Sequence, residues 1–279
     1  MNVEPAALRR ARFVVAYDGA PFHGFAENDD VRTVLGDLRA AIERIVRVPV
    51  ELVGAGRTDA GVHAWGQVVS GDLPANLDLD DIARRVTKMC GPSLVVRRAE
   101  WVDDPDVSAR FSATFRHYRY HVFNAPAPAP LLAPTAWFVD RPLDLPSMRL
   151  ACDPLIGEHE FSSFCRKPKQ REGDPPPSMR RRVMLARWSQ VDDPVHDGCV
   201  APSGADDDHP FLGLLRFEIR ANAFCHQMVR SIVGTMIDVG LGRIHAGEVT
   251  RILRARDRSA AGQVAPPNGL ILWEVGYAN

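Results

Sequence analysis

Apolar alternation and helical spacing follow one another in the order β-α-β-β-α-β over residues 12–102, and a looser copy of that order runs from 113 to 277. These two observations predict an α+β fold of two ferredoxin-like (RRM-like) halves, 1–108 and 109–279, whose antiparallel sheets meet at a central cleft suited to an active site. Length agrees, since 279 residues is more than the roughly 100–200 of a usual single domain.

The elements can be justified in order. "RFVVAYDG" (12–19) reads as a strand running into a turn. In "VRTVLGDLRAAIERIV" (31–46), Val34, Leu35, Leu38, Ile42, Ile45 and Val46 fall at helical spacing. "PVELVGAG" (49–56) and "VHAWGQVVSG" (62–71) are the next strands. "DLDDIARRVTKM" (78–89) opens with acids suited to a helix N-terminus and stops before Gly91-Pro92, and "LVVRRAEWV" (94–102) is a strand. In the second half, strand 113–123 precedes a helix over 145–157. Strands near 182–190 and 213–220, helices over 225–240 and 246–256, and a strand over 269–277 complete it. The Pro- and Ala-rich piece 124–136 reads as an extended connection.

Composition sets limits. Apolar content of 46% and charged content of 25% suit a folded protein. No apolar run approaches the ~18 residues a bilayer span needs, and the N-terminus lacks a secretory pattern, so a cytoplasmic location and no membrane partner are expected. The five cysteines are scattered with no C-x-x-C pair, which predicts buried thiols rather than a disulfide framework or a zinc site. The net charge of −1 hides local patterning. Basic residues crowd 166–187, and a longer polar insert near 166–210 ends in an acidic stretch, 192–210. A polyanion partner is compatible with the local field, as is a solvated face.

The stretch "GAGRTDAGVHAWGQVV" (54–69) carries the chemistry. It is not a dinucleotide loop, because the third glycine is missing and a strand follows. No phosphate loop, metal motif or G-x-S-x-G elbow occurs elsewhere. His63 reads as a hydrogen-bonded structural histidine. Asp59 stands beside Arg57 in a glycine-framed turn, and a neighbouring cation favours the charged carboxylate, which can serve as a nucleophile or base. Taken alone, an aspartate in such a turn is more often a turn former.

These residues resemble the signature of the TruA family of tRNA pseudouridine synthases. The resemblance continues in order through "YDGAPFHGF", "RFSATFRHYRY" (110–120), "ANAFCHQMVRSIVG" (221–234) and "NGLILWEVGY" (268–277). It implies that Asp59 is the essential catalytic group and that Arg57 takes the place of the displaced base. It further implies that Tyr118 lies against the uracil and removes a proton, that Arg230 pairs with Asp59, and that Leu270 packs on the other face of the base. It implies isomerisation of uridine at positions 38, 39 and 40 in the anticodon arm of tRNA by a homodimer. The reaction involves no redox change and no net hydrolysis, so no cofactor and no metal are expected. Arg180, Arg181 and Arg182, with Arg116 and Arg119, offer a basic surface for the RNA.

The chain departs from the family at Phe25-Ala26, where Trp-Gln is common, and at Leu35, where Gln is common. The RNA contacts of the first helix and its preceding loop are therefore open. A pseudouridine synthase with another RNA target, or a non-catalytic protein of two RRM-like halves, stands as the alternative. The latter lacks an RNP pattern of aromatics and leaves the Arg57-Thr58-Asp59 turn without a role.

Overall fold

The structure is a computed structural model, and it describes residues 7–166, 178–191 and 212–278. The acidic stretch 192–210 lies outside the described residues, as do Lys167, Lys169 and Arg171 of the basic run. The fold is α+β, and the chain divides into two compact units, Met1–Arg116 with Ile271–Asn279, and His117–Leu270.

In the first unit the chain forms β1 (Leu8–Tyr17), α1 (Val34–Val46), β2 (Leu52–Gly54), β3 (His63–Pro74), α2 (Leu79–Cys90) and β4 (Leu94–Trp101). Each helix begins where a side chain can satisfy its first N–H groups. The Thr33 hydroxyl accepts from Gly36 N–H, and the Asp78 carboxylate accepts from Asp80 and Asp81. Helix α1 buries Val34, Leu38, Ala41 and Ile42, and α2 buries Leu79, Ile82 and Val86. Each fully buried aliphatic side chain contributes about 1.5–3 kcal/mol. Strand β1 lies between β3 and β4, antiparallel to both. Alternation puts Ala11, Phe13 and Val15 in the core and leaves Arg10 and Arg12 partly exposed.

Strand β5 (Ala113–Asn124) carries the chain into the second unit. There follow β6 (Trp137–Val139), α3 (Leu145–Leu150), β7 (Gly157–Glu160), β8 (Arg180–Gln190), β9 (Leu214–Ala221), α4 (Met228–Gly240) and α5 (Glu248–Ala255). Within this unit β9 lies between β5 and β8, β7 borders β8, and β6 runs parallel to β5. The helix expected over 145–157 stops at Leu150. Pro154 lacks an N–H and its ring would collide with the Leu150 carbonyl, and Gly157 then takes a φ of +107° to start β7. The helix expected from 225 starts at Met228, because Gln227 sits in the left-handed region at φ 63°. Nearly every residue of α4 is buried, as expected for a helix that is apolar all round.

The last strand, β10 (Leu270–Tyr277), returns to the first unit. It runs parallel to the start of β3, with Ile271 opposite His63 and Leu272 opposite Ala64. The far end of β3 is paired instead by β2, through Val53–Ser70 and Gly54–Val69. This differs from the division expected at residue 108, which kept the closing strand with the second half.

Candidate active site

The stretch between β2 and β3 holds Arg57, Thr58 and Asp59, and most of its neighbours are fixed by named bonds. Ala55 N–H donates to Val68 carbonyl at 2.8 Å, and Arg116 donates to the Ala55 carbonyl at 2.8 Å. The Gln67 amide donates to the Gly56 carbonyl at 2.8 Å. Thr58 is buried, shares a 2.8 Å hydrogen bond with the Tyr17 hydroxyl, and accepts at its carbonyl from Phe25 N–H at 3.1 Å. Asp59, half-buried, closes a turn by accepting from Val62 N–H at 3.1 Å. Arg57 is exposed.

Two glycines make this packing possible. A Cβ on Gly19 would stand 2.2 Å from the Val62 carbonyl oxygen, and Gly61 takes a φ of +78° in the turn after Asp59. His63 acts as expected of a structural histidine, since its Nδ1 accepts from Gly19 N–H at 3.1 Å. Phe25 is 2% exposed and stacks on Tyr17 with ring centres 6.3 Å apart. Its ring occupies the space where a Cβ on Gly54 would fall. The departure at Phe25 therefore sits in the packing behind the loop rather than on the surface, while Ala26 and Leu35 are half-buried.

In the second unit the segment 265–270 is tied to Arg230 and to Tyr120. Arg230 Nε donates to the Ala265 carbonyl at 2.7 Å, and Ala265 N–H donates back to the Arg230 carbonyl at 3.1 Å. Tyr120 donates to the Pro266 carbonyl at 2.8 Å, and its ring lies where a Cβ on Gly269 would fall. Burial drives the Tyr120 phenol above its ordinary range, offset in part by the positive charge of Arg230. Tyr118, two residues earlier on the same strand, is 7% exposed and meets the Phe224 ring edge-to-face at 5.0 Å. Leu270 follows Gly269 and is buried.

Arg119 is engaged inside the protein. Its Nε donates to Glu218 at 3.0 Å, Arg187 donates to the same carboxylate at 2.8 Å, and His117 lies 3.4 Å away. The nearby His117 ring and the two guanidinium groups hold the Glu218 carboxyl well below its usual range. Arg116 likewise donates to the Arg110 carbonyl at 2.7 Å, besides Ala55. Arg181 is half-buried and donates to the Ser178 and Arg180 carbonyls at 2.9 and 2.6 Å. Arg180 and Arg182 are exposed, with Arg180 3.4 Å from Glu158 of β7. Among the described residues, no group of three or more His, Cys, Asp or Glu is placed to hold a metal, and no helix is long and apolar enough to cross a membrane.

Sequence reading missed the braces: Tyr17 and Arg116 behind the loop, and Phe224 against Tyr118. Only their residue types were visible, since the contacts join positions 41 to 106 residues apart.

Residues 151–278 match the model of a family described as tRNA pseudouridine synthase. The chain is 36% identical over 270 residues to tRNA pseudouridine synthase A of Brevibacillus brevis, covering 97% of this chain and 100% of that protein. It is 35% identical to tRNA pseudouridine synthase A of Gluconobacter oxydans, over 98% of this chain and 92% of that protein. With tRNA pseudouridine synthase A of Frankia casuarinae the identity is 37%, over 97% and 90%. The chain belongs to the TruA family of tRNA pseudouridine synthases.

Proposed function

We propose that this chain isomerises uridine to pseudouridine at positions 38, 39 and 40 of the tRNA anticodon stem-loop, as a cytoplasmic homodimer of chains with two ferredoxin-like halves. The observation that carries the reading is a half-buried aspartate on a loop where Ala55, Gly56, Thr58 and Val62 are tied down by hydrogen bonds. Such bracing suits a group that must meet a sugar carbon at bonding distance.

The reaction breaks the C1′–N1 bond, turns the uracil, joins C5 to C1′, and moves a proton from C5 to bulk while N1 gains one. Atoms and electrons balance within the nucleotide, so no cofactor is required. The target base must first leave its stack at a cost of a few kcal/mol. Asp59 opens the sequence, either by covalent attack or by taking a sugar proton to give a glycal. Arg57, exposed beside it, fills the space the base leaves. Tyr118 and Leu270 hold the uracil between an aromatic and an aliphatic face, and Tyr118 accepts the C5 proton. Arg230, its direction fixed by Ala265, serves as the ionic partner of Asp59. Arg180 and Arg182 supply phosphate contacts, whereas Arg116, Arg119 and Arg181 hold the fold.

Unmodified tRNA transcripts incubated with the protein should acquire pseudouridine at 38–40, and Asp59→Ala should lose it by about a thousandfold or more while keeping its circular dichroism. Product elsewhere, or from the variant, would overturn the assignment. Reversing Arg180 and Arg182 to glutamate should weaken tRNA binding and flatten its salt dependence by roughly one phosphate contact per arginine. An unchanged salt slope removes them from the interface.

A further inference from the structure

Two thiols that the proposed reaction does not use lie together in the second unit. Cys165 caps the 3-10 turn Ser162–Phe164 and is 1% exposed, while Cys225 is partly exposed in the link between β9 and α4. Their segments are joined directly, because Arg166 N–H donates to the His226 carbonyl at 3.0 Å. That bond sets Cys165 and Cys225, each next to one of its ends in the chain, close enough to influence each other's thiol. The Arg181 guanidinium also faces Cys225, and Glu160 is the carboxylate nearby. The neighbouring Cys165 thiol and the charge of Arg181 hold the Cys225 thiol below its ordinary value, whereas the Cys225 neighbour and burial push Cys165 up. Cys152 is a useful contrast: burial pushes it up to about 12 and its thiol donates to the Met148 carbonyl, the setting of an inert thiol.

We propose that Cys165 and Cys225 are an oxidation site for hydrogen peroxide, closing to a reversible disulfide with Cys225 as the attacking and Cys165 as the resolving residue. The Cys225 thiolate attacks one peroxide oxygen, forming S–O as O–O breaks, and the departing hydroxide takes a proton to become water. The Cys165 sulfur then attacks the Cys225 sulfenic acid. S–S forms, S–O breaks, and the second water carries away the Cys165 proton. Two thiols lose two electrons, one peroxide gains them, and a dithiol reductant restores both thiols. With their neighbours Arg166 and His226 joined by a backbone bond of 3.0 Å, the two thiols need no long-range movement to reach the disulfide length of about 2 Å.

The crosslink would pull on a sensitive link. Phe224, next to Cys225, is the edge-to-face partner of Tyr118, and α4 with Arg230 begins three residues on. On the function proposed above, and resting on it for this clause alone, oxidation slows turnover several-fold and reduction restores it.

The test uses the full chain, reduced and then exposed to equimolar hydrogen peroxide, alkylated and mapped by mass. The expected product is one peptide pair joining Cys165 to Cys225, with two hydrogens lost, that dithiothreitol separates. Cys165→Ala should leave a sulfenic acid on Cys225 that dimedone traps, and Cys225→Ser, at the less buried position, should form no crosslink. Both thiols still alkylating after peroxide, or Cys225 crosslinked to Cys90, Cys152 or Cys199 instead, would overturn the proposal. Because the readout is mass, its failure is distinct from absence of pseudouridine formation.

Discussion

The loop carrying Asp59 and the strand carrying Tyr118 are fixed by different physics. The loop is braced by neutral acceptors: Thr58 hydroxyl with Tyr17, and backbone carbonyls of Ala55, Gly56 and Thr58. The strand is flanked by a buried charge cluster, in which the 4%-exposed side chain of Glu218 meets Arg119, Arg187 and His117. The residues at issue alternate along β5, with Tyr118 and Tyr120 on one face and His117, Arg119 and His121 on the other. Neutral bonds hold their geometry across pH, whereas buried charges hold it only while each group keeps its protonation state. Acid should therefore loosen the strand before the loop.

The largest effect expected is from Glu218→Gln, which keeps shape but leaves Arg119 short of its counter-charge. It should cost about 3–5 kcal/mol of stability, read as a lower urea midpoint at neutral pH. A change under about 1 kcal/mol would mean that the cluster does not hold the strand. Next comes His121, which burial and the charges of Arg216 and Arg119 hold down to about 4. The folded value lies below the unfolded value of about 6.5, so the unfolded chain takes up the proton first. Stability is full above about pH 6.5 and is lost as pH falls toward about 4, by roughly 2–3 kcal/mol. His121→Gln should flatten the urea midpoint over that window, and an identical slope would place the acid sensitivity elsewhere. The smallest effect is from Tyr17→Phe in the neutral-braced loop. It should cost about 1 kcal/mol independently of pH and lower kcat several-fold. A pH-dependent loss there would erase the contrast.

What the sequence made legible follows the range of the interactions involved. Helices α1 and α2 could be read because Thr33 and Asp78 mark their starts within a few residues. Helix α3 is shorter than its apolar run suggests, because Pro154 and Gly157 break that run. Strand β7 was invisible, since "GEHE" has no apolar alternation. It pairs antiparallel with β8, with Glu158 opposite Arg182 and Glu160 opposite Arg180, so opposite charges face each other across the two strands. That pairing gives part of the basic run a place in the sheet beside the RNA surface and the solvated face that its charge allowed. Asp59 stood out because glycines frame it. Its braces did not, because Tyr17 and Arg116 come from 41 and 61 residues away in the chain.

Strand β3 takes its neighbours at very different times. Its far end meets β2, made just before it, but His63 and Ala64 wait for Ile271 and Leu272. During synthesis the edge beside the Asp59 turn stays open for roughly 200 residues, a loop whose closure slows folding. A ribosome-bound chain lacking β10 should thus display an unsealed strand next to Asp59. Competence for chemistry becomes a property of the finished polypeptide, and removal of the final strand should unsettle the first unit rather than the second.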